Sequence, residues 1–168
     1  LAALYKDTWI DSTFMTISLI GVSMPIFWLG LLSILLFSFS MKLLPASGAT
    51  SIVNDILPAA TLGFVSSGLI SRLFRNNLIE VFNQDYIRTA WAKGLPGRLI
   101  YWKHSIKNAL IPVITILGLQ FGNMLAGAVV TETVFSRPGI GRLLVNGILW
   151  KDYPLVQGTI LFVASTYV

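Results

Sequence analysis

The chain has no cysteine, a single histidine, and charge on only 11% of its 168 residues. Without cysteine there is no disulfide framework, thiolate metal site or cysteine nucleophile to consider. His104 has no Asp, Glu or His companion at ligand spacing, so no metal centre is expected. No Gly-x-x-x-x-Gly-Lys-Ser/Thr stretch occurs, which removes that kind of ATP phosphate cradle and leaves any energy source to another chain. A soluble domain carries about 25% charged residues, so the scarcity of charge argues against water as the main solvent.

What is present is hydrophobic, at 55% of residues, with the charges gathered between long uncharged runs. Thirty uncharged residues separate Asp11 from Lys42, more than the about 20 that a bilayer core requires. The surplus predicts tilt or a kink, with Pro25 as the kink site because it removes a backbone donor. A second run, Ile56 to Ser71, is short at sixteen residues, and Leu73, Phe74, Leu78, Ile79, Val81 and Phe82 continue it at helical spacing. Asn108 to Thr131 gives twenty-four uncharged residues, and another apolar run begins at Tyr153. The expected fold is all-α, a polytopic transmembrane helix bundle with spans at about 12–40, 56–71, 108–131 and 153–168. The first residue is leucine and the last run is unfinished at Val168, so both ends of the natural chain are expected to be missing.

The net charge of +5 resides in one segment. Residues 72–107 hold seven basic side chains against Glu80 and Asp85, while the rest of the chain holds five of each sign. The positive-inside rule assigns that segment to the cytoplasm. Alternation then puts 1–11 inside, and 42–55 and 132–152 outside. Tyr86, Trp91, Tyr101 and Trp102 among cations also fit a nucleic-acid patch, but a short loop tethered between two spans is explained first by topology and headgroup contact. No nucleic-acid partner is expected.

Inside this loop, Asp85-Tyr-Ile-Arg-Thr-Ala-Trp-Ala-Lys-Gly94-Leu-Pro96 is punctuated as a helix of about 12 Å, with Asp85 as N-cap, Gly94 at the stop and proline beyond it. Tyr86, Ile87, Ala90 and Trp91 share an apolar face, with Arg88, Thr89 and Lys93 elsewhere. Periodicity leaves two readings open: a docking element for a partner protein, or an interfacial helix anchored among headgroups by Tyr86 and Trp91.

The stretch Arg88-Thr-Ala-Trp-Ala-Lys-Gly94, followed by Asn108-Ala-Leu-Ile-Pro112, resembles the cytoplasmic signature of ABC importer permeases, in the form used by the dipeptide, oligopeptide and nickel branch. Pro25-Ile-Phe-Trp-Leu-Gly30, Leu44-Pro-Ala-Ser-Gly48, Ile56-Leu-Pro-Ala59, Glu132-Thr-Val-Phe135, Pro138-Gly-Ile-Gly141 and Asp152-Tyr-Pro154 resemble the same branch in the same order. Two features depart from the wider importer pattern, Arg88 where many importers have glutamate and a longer interval from Gly94 to Pro112. Both are usual in this branch.

The resemblance implies an inner-membrane permease subunit of an ATP-driven importer of di- or oligopeptides or a related solute such as a nickel complex. Its implied partners are two cytoplasmic ATP-binding subunits, which hold the ATP and magnesium, a second, paralogous permease, and an extracytoplasmic substrate-binding protein. Tyr86, Arg88, Thr89, Ala90, Trp91, Ala92, Lys93 and Gly94 would form the coupling helix that contacts an ATPase. No catalytic residue or cofactor is expected in this chain.

Other features have plainer readings. Small residues recur at Ala59, Gly63, Ser67 and Ser71, and at Gly118, Gly122 and Ala126, a spacing that lets membrane helices approach closely. Gln120 and Asn123 lie deep in the third span, where interhelical hydrogen bonding is favoured over lining the pathway. Glu132 just beyond it is either a gate or the outer boundary. Pro138-Gly-Ile-Gly141 follows no strand and reads as a turn. Asp7 and Asp11 are expected to be solvent and cap residues. A passive channel and an intramembrane enzyme are the rival classes, and the enzyme is disfavoured because the spans contain no charged residue.

Overall fold

The computed structural model describes residues 2–49 and 51–166, so the end of the last expected span, at 167–168, lies outside the described residues. Among the described residues there are helices and no strands. In chain order they are α1 (Trp9–Ser23), α2 (Ile26–Ser40), α3 (Val53–Phe82), α4 (Asp85–Ala92), α5 (Gly97–Val134), α6 (Ile140–Trp150) and α7 (Tyr153–Ser165). By length and composition α3 and α5 can each cross a membrane, and α1 with α2 can form one broken crossing.

Proline does more than kink the first apolar run. The helix stops at Ser23, Pro25 adopts φ −59° and ψ 134°, and a new helix starts at Ile26 with the Pro25 carbonyl accepting from the amides of Trp28 and Leu29. Residues 72–107, read from sequence as a loop, are mostly helical. α3 continues to Phe82, α5 already begins at Gly97, and only 83–84 and 93–96 lie outside helices. Within α5, Ile100–Ile106 forms wider π-helical turns, and buried Ser105 donates its hydroxyl to the Ile100 carbonyl at 3.0 Å, satisfying both groups.

The chain divides into two compact units, and α3 and α5 each contribute one part to both. The first unit comprises the residues up to Ser23 with Ser66–Gln120. Its core joins Ala3, Leu78 and Ala109 with Phe74, Ile79, Phe82 and Ile106 around them. α1 approaches α3 at Gly68, where a methyl group would stand about 2.5 Å from the Ser18 carbonyl oxygen. Only glycine allows that approach.

The second unit comprises Met24–Val65 and Phe121 onward. Here Phe135, at 1% exposure, and Leu57 are buried. Val134 and Phe135 lie against Gly30 of α2, and Gly127 of α5 faces Leu62 of α3 and Ile26 of α2. The Ser33 and Thr61 hydroxyls bridge α2 and α3 at 3.3 Å. Asp55 at the start of α3 pairs with Arg137, just past the end of α5. α6 turns into α7 through Lys151 in the left-handed conformation, φ 58°, after which the Asp152 carboxylate caps α7 by accepting from the Leu155 amide at 3.1 Å.

Away from these contacts the helices remain apolar and exposed, as at Ile111, Ile114, Leu119 and Phe121 along α5. Contiguous apolar surface on this scale is stable only against lipid or another protein chain.

Candidate functional site

The site is built from Val81 to Asn108, all within the first unit. α3 ends as the amides of Asn83 and Gln84 turn back to the carbonyls of Glu80 and Val81, and the Asn83 side chain donates to the Ile79 carbonyl at 2.9 Å. Gln84, extended at φ −73° and ψ 146°, occupies the position expected for Asp85 and starts α4. Its carbonyl accepts from the amides of Ile87 and Arg88, and its side chain makes no cap. Asp85 is instead the first helical residue. Its carboxylate still sits at the positive end of the helix dipole, and it pairs with Arg88 at 3.7 Å with both side chains well exposed, which contributes little to stability.

At the other end Gly94 lies at φ +72°. Its amide donates to the Trp91 carbonyl at 2.9 Å, and that of Leu95 to the Ala90 carbonyl at 3.3 Å. This pair of bonds closes a helix on a left-handed residue, and the Leu95 side chain completes the arrangement by packing on the apolar cluster of α4. A methyl group on Gly94 would meet nothing within 4 Å. What glycine supplies here is the backbone conformation, not room.

The buried face of α4 is narrower than its periodicity implies. Ile87 and Ala90, at 2% and 7% exposure, pack with Ile100, Val81 and Leu95. Tyr86 and Trp91 sit half-exposed at the margins of that face. The Tyr86 hydroxyl accepts from the Asn108 side chain at 3.0 Å. Trp91 meets Tyr101 edge to face at 6.2 Å, and Tyr101 meets Phe82 in the same way at 5.8 Å. Gly97 makes room for the Trp91 ring, since a methyl group there would come within 3.1 Å of it.

Ala90, grouped by resemblance with the contact residues, is thus enclosed by its own chain and cannot offer a surface. The accessible strip consists of Arg88, Thr89, Ala92 and Lys93, with the free edges of Tyr86 and Trp91. Thr89 donates to the Asp85 carbonyl at 2.9 Å, which keeps its hydroxyl on the helix.

The other residues singled out from the sequence do not join this site. Gln120 is partly buried and Asn123 exposed on α5, and neither is without a partner. The Glu132 carboxylate accepts from the Arg142 amide at 2.8 Å, at the N-terminus of α6. No atom of another element comes within 4 Å of a methyl group placed on Gly63 or Gly118, and Ser67 and Ala126 are exposed. On α3 and α5 close approaches fall at Gly68 and Gly127, each one residue past a member of a stripe, Ser67 or Ala126. A four-residue repeat identifies a helix face, but the next residue points about 100° away, and that neighbouring face is the one packed here.

Sequence reading also missed an ion pair. Asp11, expected in solvent, is buried, and Arg75 sixty-four residues away donates Nε to it at 2.7 Å while the Asp7 amide donates at 3.1 Å. Only Asp7 is exposed as expected. Among the described residues no three metal-ligating side chains converge.

Residues 1–168 match the family model described as the binding-protein-dependent transport system inner membrane component. The chain is 43% identical to a di/tripeptide transport system permease protein of Pseudomonas aeruginosa, over 98% of this chain and 57% of that protein. It is 42% identical to a glutathione transport system permease protein of Escherichia coli, over 100% of this chain and 55% of the relative. A dipeptide transport system permease protein of Alkalihalophilus pseudofirmus is 40% identical over 100% of this chain and 59% of its own length. The chain therefore spans a little over half the length of these relatives. A match from end to end, joined to apolar helices and an exposed short helix between two long ones, leads to one conclusion: the chain belongs to the binding-protein-dependent transport system inner membrane component family.

Proposed function

We infer that this chain supplies part of the membrane pathway of an ATP-driven importer for short peptides. ATP hydrolysis belongs to two cytoplasmic subunits, and a second, paralogous permease and an extracytoplasmic binding protein complete the assembly. The observation that carries this reading is α4, a short helix closed at Gly94 and fixed to its own chain by Ile87 and Ala90, with Arg88, Thr89, Ala92 and Lys93 left accessible. A rigidly seated helix with an open polar strip suits the transfer of motion between subunits better than a headgroup anchor, whose aromatic side chains would be free to insert. Trp91 and Tyr86 are each tied by one edge to their own chain.

In this reading 72–107 faces the cytoplasm, as its net charge of +5 supports. Peptides are favoured as cargo because the relatives named above carry di/tripeptides, dipeptides or glutathione in their names. The gross test is uptake of a labelled dipeptide by cells making the full-length permease with its neighbouring subunits. Uptake that requires ATP and the binding protein supports the reading, and energy-independent flux would support a channel. Labelling of a cysteine at position 98 by an impermeant reagent outside intact cells would overturn the orientation.

A further inference from the structure

The Glu132 carboxylate lies where α5 ends and α6 begins. α6 has no side-chain cap of its own, because its N-cap position is Gly139. The Arg142 amide, one of the unpaired donors of the first turn, is instead satisfied by Glu132 Oε2 at 2.8 Å. The fit is close: a methyl group on Gly139 would overlap the Glu132 carboxyl group. Three further features hold the corner in shape. The Glu132 carbonyl accepts from the Arg137 amide at 2.8 Å, Ser136 takes a left-handed φ of 52°, and Phe135 is buried with its ring against Gly30 of α2. Beyond the cap, Gly141 lies against Val129 of α5, so the first turn of α6 has glycine at both points of closest approach.

We propose that Glu132 is a positioning residue. It seats the N-terminus of α6 against the end of α5 as a hydrogen-bond acceptor, and it does not act as a charged gate or as a ligand for the substrate amine. Its position at the positive end of the α6 dipole suits an acceptor of either charge state, a carboxylate more than an amide. Glutamine at this position keeps the oxygen that the Arg142 amide needs. Alanine leaves that amide without a partner among the described residues, and α6 loses the side-chain cap that Glu132 gives it.

The proposal rests on the importer reading, so the test is made in the intact transporter in proteoliposomes, where uptake of labelled dipeptide by the wild type establishes that reading independently. Glu132→Gln is expected to transport within about twofold of the wild type, and Glu132→Ala to fall about tenfold, at matched permease content. Gly139→Ala is expected to be impaired because it displaces the carboxyl group. Glu132→Ala/Gly139→Ala should be no worse than Glu132→Ala alone, since the clash and the cap vanish together. Glutamine as damaging as alanine would assign Glu132 a charged role and overturn the proposal, as would unimpaired alanine or a double variant whose losses multiply.

Discussion

α4 and α6 are both short helices that follow a long one, and they are held in different ways. α4 is closed by its own backbone at Gly94, and its N-terminus has no side-chain cap. It is seated by two side chains, Ile87 and Ala90, and keeps a polar strip open. α6 is held at its N-terminus by a residue ten positions earlier and packs through Gly141 on Val129 and through Gly147 on Leu155 and Val156, while it presents apolar side chains such as Leu149 and Trp150. A helix fixed along one buried face can carry a load on the other. A helix clasped at its end is suited to staying in place. The difference suits the coupling role proposed for α4 and a framing role for α6, and several changes should separate the two.

The largest effect is expected from Ala90→Asp, which puts a carboxylate into the cluster with Ile87 and Ile100. An unpaired buried charge costs several kcal/mol in practice, so α4 should detach and the permease should lose protease resistance or abundance. Phe135→Ala is the matching lesion just past the end of α5, where the ring lies against Gly30 of α2, expected to cost about 3–5 kcal/mol. Thermal inactivation of the purified complex measures both. Equal tolerance of the two would remove the packing basis of the comparison.

Arg75→Ala comes next. It leaves Asp11 without its ionic partner, with only the Asp7 amide still donating to it, and is expected to lower the thermal stability of the first unit measurably. Arg75→Ala/Asp11→Ala should recover part of that loss, and absence of recovery would mean that the pair does not act as a unit.

Gly94→Val is subtler. The space around Gly94 is open, so the cost is backbone strain of about 1–2 kcal/mol. That is too little to unfold the chain but enough to redirect the end of α4. Abundance should stay near normal while binding-protein-stimulated ATP hydrolysis falls, whereas Gly63→Ala, also in open space but at no left-handed residue, should change neither. Smallest in stability is Arg88→Gln, within about 0.5 kcal/mol because its pair with Asp85 is exposed. Any loss of coupling there must come from a contact outside the chain.

The same contrast explains what was legible in the sequence. α4 is written in local chemistry: Gly94 and Pro96 mark its end and the alternation of apolar and polar residues marks its inner side. Its start was misplaced by one residue because Asp85 suits both the cap and the first turn, and only the extended backbone of Gln84 decides between them. Periodicity set Ala90 on the apolar face while resemblance set it among the contact residues, and its packing with Ile87 and Ile100 decides for the first. The clasp on α6 is written in pairs, Glu132 with Arg142 and with the space over Gly139, and no single stretch encodes it. The Asp11–Arg75 pair, sixty-four residues apart, left no local signal at all. Small-residue stripes were visible, but on α3 and α5 close approaches fall at Gly68 and Gly127, beside the stripes, because a repeat does not say which face has a neighbour.

The most direct test of α4 as the coupling element is site-specific photocrosslinking in the assembled transporter. A benzoylphenylalanine side chain is introduced at position 88, 92 or 93 on the open strip of α4, and at 143 or 149 on α6 as controls. The account predicts crosslinks to an ATPase subunit from the α4 positions, altered by ATP, and none from α6. ATPase crosslinks from α6, or lipid as the only adduct at all three α4 positions, would contradict it and make α4 a headgroup anchor.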